Sequence, residues 1–191
     1  MINCFPINLI QRKALREIDY KHIGEYISLY YAKKVGFIFS ASSIGMDKGI
    51  DILISTLKAR GVIYKGICID FRKKGEGVIR PFCASTKVTH IYKDDVNWYG
   101  KPKEDAIQEF LSEEYDIIID LTPEKRIFTV DYILRLTKSS LMVGVSQFKG
   151  NIYDIVISGQ QLPSEEATQE EIAQNNITHI RNIINYLVTI R

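Results

Sequence analysis

Two short polar segments hold the side chains of this sequence that are best suited to bind an anion. Ser40, Ser42 and Ser43 follow one apolar run, and Asp120 and Thr122 follow another. Hydroxyl groups just ahead of a helix favour an anion there, because the first N–H groups of the helix point the same way. Asp120 would face them with a carboxylate. The first segment contains neither GxGxxG nor GxxxxGKS/T, so a standard dinucleotide or P-loop site is not predicted. The alternative is that the serines cap one helix and Asp120 caps the next.

Residues 94–103 form a second candidate site, which contains the only tryptophan of the chain beside a tyrosine. Trp98 offers a ring on which a sugar or base can stack, and Lys101 adds a positive charge. Asp95 and Asn97 offer the oxygen ligands that divalent cations prefer, but their spacing is not that of an EF-hand. We therefore predict ligand contacts here and no metal site. The alternative is a turn-rich loop with Trp98 packed over the end of the sheet.

Catalytic side chains are less evident, and the sequence identifies no cofactor. Asp120, or the adjacent pair Asp94 and Asp95, could act as a general base. Each of the three histidines stands alone in its segment, and Cys68 falls in the middle of an apolar run. Both patterns are typical of structural side chains. The sequence therefore leaves open whether the protein is an enzyme.

The elements that must position these residues alternate between strand and helix. A capping box at Thr168 and Glu171 begins the last helix, and Gly61 ends the first helix after the serine segment. This alternation is typical of a single doubly wound α/β domain with a mostly parallel sheet, Rossmann-like or flavodoxin-like. The predicted strands are Val35–Phe39, Val62–Ile69, Thr89–Tyr92, Tyr115–Leu121, Leu141–Val145 and Tyr153–Ile157.

The expected strand order places the two anion-binding segments together. We predict the order 3-2-1-4-5, with the last strand at an edge. In such sheets, ligands bind outside the carboxyl ends of the strands, at the point where the order reverses. That point lies between Val35–Phe39 and Tyr115–Leu121. The serine segment and the Asp120 segment should therefore line one crevice.

The first 33 residues are predicted to form an amphipathic helical extension to the α/β domain, residues 34–191. Apolar residues at helical spacing predict one long helix over residues 7–32, with Gly24 as a weak point. Such a helix can pack against its own domain, against a second copy or against a protein partner. A membrane surface is a poorer match, because acidic side chains interrupt the polar face.

Composition and charge exclude several classes of protein. The 191 residues include 25 Lys and Arg against 23 Asp and Glu, and 46% are apolar, which argues against disorder and against dedicated nucleic-acid binding. Residues 1–103 balance to +9 and residues 104–191 to −7. The basic half, which includes the run Arg72–Lys74, favours an anionic ligand; the alternative is solvated faces of opposite sign. With no secretory signal and no apolar run of roughly 20 residues, we expect a cytoplasmic protein.

The order of five segments resembles a domain-of-unknown-function family of small bacterial α/β proteins, over about residues 34–157, with the final helix as a further part that the resemblance could include. These segments are Val35-Gly-Phe-Ile-Phe39, Asn97-Trp-Tyr-Gly-Lys-Pro102, Tyr115-Asp-Ile-Ile-Ile-Asp-Leu121, Val143-Gly144 and Tyr153-Asp-Ile-Val-Ile157. The resemblance implies the fold and draws attention to the tryptophan loop. Over about thirty residues, the third and fourth segments are also similar to heptosyltransferase-type glycosyltransferases, which place their donor site between two domains.

Three functions are consistent with these features. The first is a module that binds a small anionic ligand, of nucleotide or sugar-phosphate type, at the carboxyl edge of the sheet. The second is a reduced glycosyltransferase-like or hydrolytic enzyme that uses Asp120 or Asp94 and Asp95. The third is an interaction or assembly module that acts through residues 7–32, as a homo-oligomer or with a protein partner.

Overall fold

A parallel sheet forms the centre of the molecule, whose computed structural model describes residues 6–22, 24–71, 85–122, 127–146, 150, 152–159 and 167–190. Over these residues, six strands pair in the order β3-β2-β1-β4-β5-β6, and every neighbouring pair is parallel. The predicted fold class and strand order are confirmed. The strands are β1 (Lys34–Ser40), β2 (Ile63–Ile69), β3 (Val88–Ile91), β4 (Glu114–Asp120), β5 (Lys138–Gly144) and β6 (Ile155–Val156).

Helices cover both faces of the sheet, as a parallel sheet requires. Within the described ranges they are α1 (Ile7–Arg16), α2 (Met46–Ala59), α3 (Glu104–Leu111), α4 (Phe128–Leu136) and α5 (Gln169–Thr189). Alternate residues of each strand face opposite sides. Phe37 and Ile119 pack with α2 and α5, whereas Ile38 and Ile118 pack with α3 and α4. The two cores therefore separate the molecule into an α2/α5 face and an α3/α4 face.

Two local signals in the sequence act as predicted. The Thr168 hydroxyl accepts a hydrogen bond from the backbone of Glu171, whose carboxylate accepts one from the backbone of Thr168, so the capping box begins α5. Gly61 follows α2 with φ +70°, a conformation that favours glycine over residues with a side chain. Helix α5 therefore begins, and α2 ends, at the positions that the sequence predicted.

The predicted helix over residues 7–32 is wrong: α1 ends at Arg16, and the chain then continues as a non-helical segment that we call the N-terminal strap (residues 17–22 and 24–33). Its backbone groups bond to distant elements. Glu25 donates its N–H to the carbonyl of Ser140 in β5 (2.8 Å), and Leu29 donates to that of Leu187 in α5 (2.7 Å). These bonds replace the local bonds of a helix.

The strap closes an edge of the sheet. Because β6 pairs only with Val143 and Gly144, it leaves the earlier part of β5 uncovered. Glu25 bonds to β5 at that position, and Leu29 is fully buried in the α2/α5 core. Open strand edges invite pairing with other chains, so this cover has a clear physical use. The boundary between an extension and a domain at residue 33 stays a prediction.

Candidate functional site

The strand order reverses between β1 and β4, which is where the sequence predicted a crevice. Ile38 of β1 pairs with Asp120 of β4, so Ser40 lies two residues beyond the level of Asp120. By the alternation of strand residues, both side chains fall on the α3/α4 face. Ser40 and Asp120 are 4% and 2% exposed. They are therefore neighbouring buried groups at the carboxyl edge, although each bonds to different partners.

Asp120 forms a closed hydrogen-bonded group with Thr122 and Tyr153. Its Oδ1 accepts bonds from the backbone N–H (2.9 Å) and hydroxyl (2.6 Å) of Thr122, and its Oδ2 accepts one from the Tyr153 hydroxyl (2.5 Å). Burial raises the pKa of Asp120; the bonds from Thr122 and Tyr153 oppose that rise, and the charge of Asp131 adds to it. A buried carboxyl of this kind holds a proton more readily than an exposed aspartate does.

Tyr153 is a member of this group that the sequence analysis missed. Gly144 is paired with Asp120 in the sheet, and a Cβ at Gly144 would overlap the Tyr153 ring. The glycine therefore leaves the space through which Tyr153 reaches Asp120. The sequence signal for this contact was the glycine of the Val143-Gly144 pair, followed by Tyr153 just ahead of the last strand.

The serine segment folds as a tight turn that leads into α2. The hydroxyls of Ser40 and Ser42 are 2.7 Å apart, and the N–H of Ser43 bonds to the carbonyl of Ser40 (3.3 Å). The residue that precedes α2 is Gly45, with φ +74° and no side-chain cap. The interpretation that the serines cap α2 is therefore wrong.

Helix α5 holds this turn in place. Asn176 donates its side-chain amide to the carbonyl of Ile44 (2.9 Å), and a Cβ on Gly45 would lie 2.6 Å from the Cα of Ala173. Any other residue at position 45 would therefore push the turn away from α5 as well as strain the backbone. The amino end of α2 is thus fixed at the carboxyl edge of the sheet.

Asp120 and Thr122 do not cap α4, which begins at Phe128 after Ile127. The predicted helix start at Pro123 and the basic run Arg72–Lys74 lie outside the described residues.

In the tryptophan loop, the predicted oxygen ligands bond to the backbone of the loop itself. Asp95 accepts from the N–H of Tyr92 (2.9 Å), and Asn97 accepts from those of Tyr99 (3.2 Å) and Lys101 (2.9 Å). Their role is to shape the loop. Across the described ranges, no three His, Cys, Asp or Glu side chains are grouped as metal ligands.

Trp98 is 70% exposed, so it is not packed over the end of the sheet. Its loop is instead tied to two helices. The side chain of Gln11 in α1 donates to the carbonyl of Tyr99 (2.7 Å), and the hydroxyl of Thr129 in α4 donates to that of Gly100 (2.7 Å). The loop therefore joins α1 to the start of α4 on the α3/α4 face.

Lys101 points into a groove between α1 and α4. Its ammonium lies 5.5 Å from the centre of the Tyr132 ring. The nearby Tyr132 side chain is the main cause that raises the pKa of Lys101. The groove has a volume of about 640 Å³, and Tyr99, Tyr132 and Arg135 also line it.

The predicted site residues thus fall into three groups: Ser40 to Ser43, Asp120 with Thr122, and the loop of Asp95, Asn97, Trp98 and Lys101.

A hydrogen-bonded histidine and aspartate, whose side chains are 8% and 18% exposed, lie where the strap crosses β5. His22 Nε2 is 2.8 Å from Asp154 Oδ2, which also accepts the N–H of Met142 (2.7 Å). Tyr20, which stacks on His22, has its pKa raised to about 12 by burial and then by the charge of Asp154. His22 thus has a structural partner, in line with its isolated position in the sequence.

Comparisons with known proteins place most of the chain in one family. A protein-family model described as "Family of unknown function (DUF6913)" matches residues 8–174. The search of curated proteins found no match. The predicted resemblance to a family of unknown function is confirmed, and it extends beyond residues 34–157 to include α1 and the strap. Among the described helices, none has both the length and the apolar character needed to cross a bilayer.

Proposed function

Because the chain belongs to DUF6913, a family of unknown function, we propose its function from its own site: it binds a small anionic ligand at the carboxyl edge of the sheet. The observation that carries this proposal is the amino end of α2. It starts at Gly45 without a side-chain cap, beside the point where the strand order reverses. First-turn N–H groups that lack a capping side chain bind phosphate-like groups well. The ligand class is a nucleotide or sugar phosphate.

The surroundings of this helix end support an anion. The hydroxyls of Ser40 and Ser42, with Ser43, lie in the turn ahead of α2. Asp120 and Thr122 lie at the end of β4, the strand next to β1 in the sheet, and burial favours the uncharged form of Asp120, which limits repulsion of an anion at this edge.

A titration with pyrophosphate tests this proposal. At about 100 times its Kd, a ligand adds about 2.7 kcal/mol of stability. For a chain of this length, that is a rise in melting temperature of about 5–11 °C. Ser42→Ala should weaken binding about fivefold, the effect of one lost hydrogen bond. Asp47→Asn should tighten it, because Asp47 puts a competing negative charge in the first turn of α2.

Ser55→Ala is the matched control, since Ser55 is an exposed serine in the same helix, away from its amino end. It should leave the affinity unchanged. If pyrophosphate, nucleotides and sugar phosphates all fail to raise the melting temperature, the proposed function is wrong. If they bind but neither Ser42→Ala nor Asp47→Asn changes the affinity, the site is wrong.

The second candidate is catalysis by Asp120, and the short bond between Asp120 and Tyr153 favours it. A glycosyltransferase-like or hydrolytic enzyme needs a carboxyl that exchanges a proton near neutral pH, and burial moves Asp120 in that direction. Asp95 is a weaker base for this role, because its carboxylate already accepts the N–H of Tyr92. Turnover of nucleotide sugars or phosphate esters that survives Asp120→Asn would contradict this candidate. The likeness to heptosyltransferase-type enzymes and a bacterial origin stay predictions.

The third candidate, assembly with a second copy or a partner, rests on apolar side chains that are exposed in α1 and in the strap. Ile7 and Leu9 of α1 are 48% and 52% exposed, and three tyrosines of the strap are 69% or 70% exposed: Tyr26, Tyr30 and Tyr31. If α1 mediates assembly, Leu9→Glu should reduce the mass measured by light scattering, and Lys13→Glu, an exposed site on the same helix, should not. A monomeric mass for the unaltered chain would exclude assembly with a second copy. A cytoplasmic location remains part of the proposal.

A further inference from the structure

The groove between α1 and α4 has the size and the walls of a small-molecule site. Its volume of about 640 Å³ falls within the range of about 300–1,000 Å³ typical of ligand sites. Ala14 and Ile18 line one wall, the loop at Tyr99 and Lys101 lines another, and Tyr132 lies on α4. Neither Ser40 nor Asp120 lines this groove, so it is distinct from the site proposed above.

An aromatic surface leads into the groove. Four rings follow one another from the loop along α4: Trp98 to Tyr99 at 5.3 Å, Tyr99 to Phe128 at 6.0 Å and Phe128 to Tyr132 at 5.9 Å between ring centres. Tyr99 and Tyr132, at two positions in this row, face the groove itself. Adjacent rings at these distances offer a further ring a surface on which to pack.

Two carboxylates, Glu17 and Asp19, also line the groove, and each is paired with a lysine: Lys13 and Lys21. The cationic side chains of the groove differ in how firmly they are held. Arg135 donates to Asp131 (3.1 Å), so its charge is already matched. Lys21 and Lys138 form exposed ion pairs, which contribute little and exchange easily. Lys101 takes part in none of the salt bridges recorded among the described residues and contacts Tyr132 instead. An incoming anion would therefore find its best partner at Lys101.

We infer that this groove binds a small molecule in which an anionic group is attached to an aromatic ring, such as an aryl phosphate. The anionic group pairs with the Lys101 ammonium, and the ring packs against Tyr99 and Tyr132. A charge-assisted bond and a ring contact act together, so neither an anion without a ring nor a neutral ring should bind as well.

Phenyl phosphate is the probe, titrated into the full chain and followed by amide nitrogen–proton correlation spectra. The signals of Tyr99, Lys101 and Tyr132 should shift, and inorganic phosphate should not shift them at the same concentration. Lys101→Met keeps the aliphatic stem and removes the charge, so we expect at least about tenfold weaker binding. Lys103→Met is the matched control, because Lys103 is an exposed lysine two residues away that does not line the groove.

Each outcome separates this inference from the function proposed above. Ser42→Ala should leave phenyl phosphate binding in the groove unchanged, and Lys101→Met should leave pyrophosphate binding at α2 unchanged. The inference is overturned if phenyl phosphate shifts the signals of Ser42 to Asp47 instead. It is also overturned if Lys101→Met and Lys103→Met weaken binding equally, or if no signal shifts at millimolar phenyl phosphate.

Discussion

Gly24 in the strap is the position where a single added methyl group should do the most specific damage. A Cβ on Gly24 would overlap Oδ1 of Asp154 and lie 2.8 Å from its Cγ. Asp154 cannot simply move aside, because its Oδ2 bonds to His22 (2.8 Å) and to the N–H of Met142 (2.7 Å). Gly24→Ala should therefore displace the carboxylate and break both bonds.

The cost can be worked out from those two bonds. A hydrogen bond to a charged group contributes about 1.5–3 kcal/mol. Alanine also restricts the unfolded chain more than glycine does, which returns about 0.4–1 kcal/mol where the backbone conformation is allowed. Gly24 does not have a positive φ, so this gain applies. With partial relaxation of the carboxylate, we expect a net loss of about 3 kcal/mol.

Urea unfolding of four proteins measures this effect: the unaltered chain, Gly24→Ala, Asp154→Ala and the double variant. For a chain of this length, 3 kcal/mol is a fall in melting temperature of about 6–12 °C. The three atoms nearest to a Cβ at Gly24 all belong to the Asp154 carboxylate. In Asp154→Ala these atoms are absent, so the new methyl group no longer overlaps with them. Gly24→Ala should then be neutral, or stabilising by about 0.4–1 kcal/mol.

The double variant is the decisive protein. If overlap with Asp154 is the cause, the two single effects are strongly non-additive, and the double variant is about as stable as Asp154→Ala. An additive pair, in which Gly24→Ala costs the same with and without the carboxylate, would show that overlap with Asp154 is not the cause. So would a Gly24→Ala variant as stable as the unaltered chain.

Three further measurements follow from buried groups. In an ultraviolet pH titration, Tyr20 should ionise near pH 12, and Tyr20→Phe should remove that step. Because the pKa of Tyr20 is near 10.0 in the unfolded chain, the free energy of unfolding should fall as pH rises from about 10 towards 12. Asp120→Asn should be at least as stable as the unaltered chain at neutral pH. The advantage of the variant should shrink as pH falls, because the raised pKa of Asp120 lets the folded chain take up this proton before the unfolded chain does. A stability difference that stays constant across pH would contradict this. Ser28→Ala should cost about 1 kcal/mol in urea unfolding, because the Ser28 hydroxyl bonds to carbonyls at the end of α5; no change would mean that those bonds contribute nothing.

The sheet was predictable because its signals are local. Runs such as Val35–Phe39 and Tyr115–Leu121 are apolar throughout, as strands buried on both faces must be, and each is confirmed within about one residue at either end. The strand order was also predicted correctly, although alternation with helices does not by itself determine it. The strands that form the carboxyl edge of the sheet could therefore be derived from the sequence.

The strap was not predictable, because its bonding partners are remote. The apolar residues of 17–33 follow a helical spacing, yet Glu25 and Leu29 bond to β5 and α5, more than a hundred residues away. Tertiary contacts of this kind override local preference. Gly24, which the sequence marked only as a weak point in a helix, instead makes room for Asp154.

The candidate site was predicted in part. The sequence named Asp120, Thr122, Ser40 and Ser42 as candidates, but the hydrogen bonds that join Asp120 to Thr122 and Ser40 to Ser42 were not predicted. Tyr153 and Tyr132, which complete the surroundings of Asp120 and Lys101, come from later elements whose side-chain directions depend on packing. No pattern over neighbouring residues specifies such contacts.

The bond from Ser28 to Leu187 links positions 159 residues apart, and this sets an order of events during synthesis. A chain leaves the ribosome from its amino end at about 5–20 residues per second, so the strap emerges many seconds before α5. Until α5 arrives, Leu29 has no partner at Leu187, and the edge of β5 has no settled cover. The strap is thus made before α5 but fixed in place only after it, and a nascent chain that stops short of α5 exposes the strap together with the part of the α2/α5 face that α5 covers.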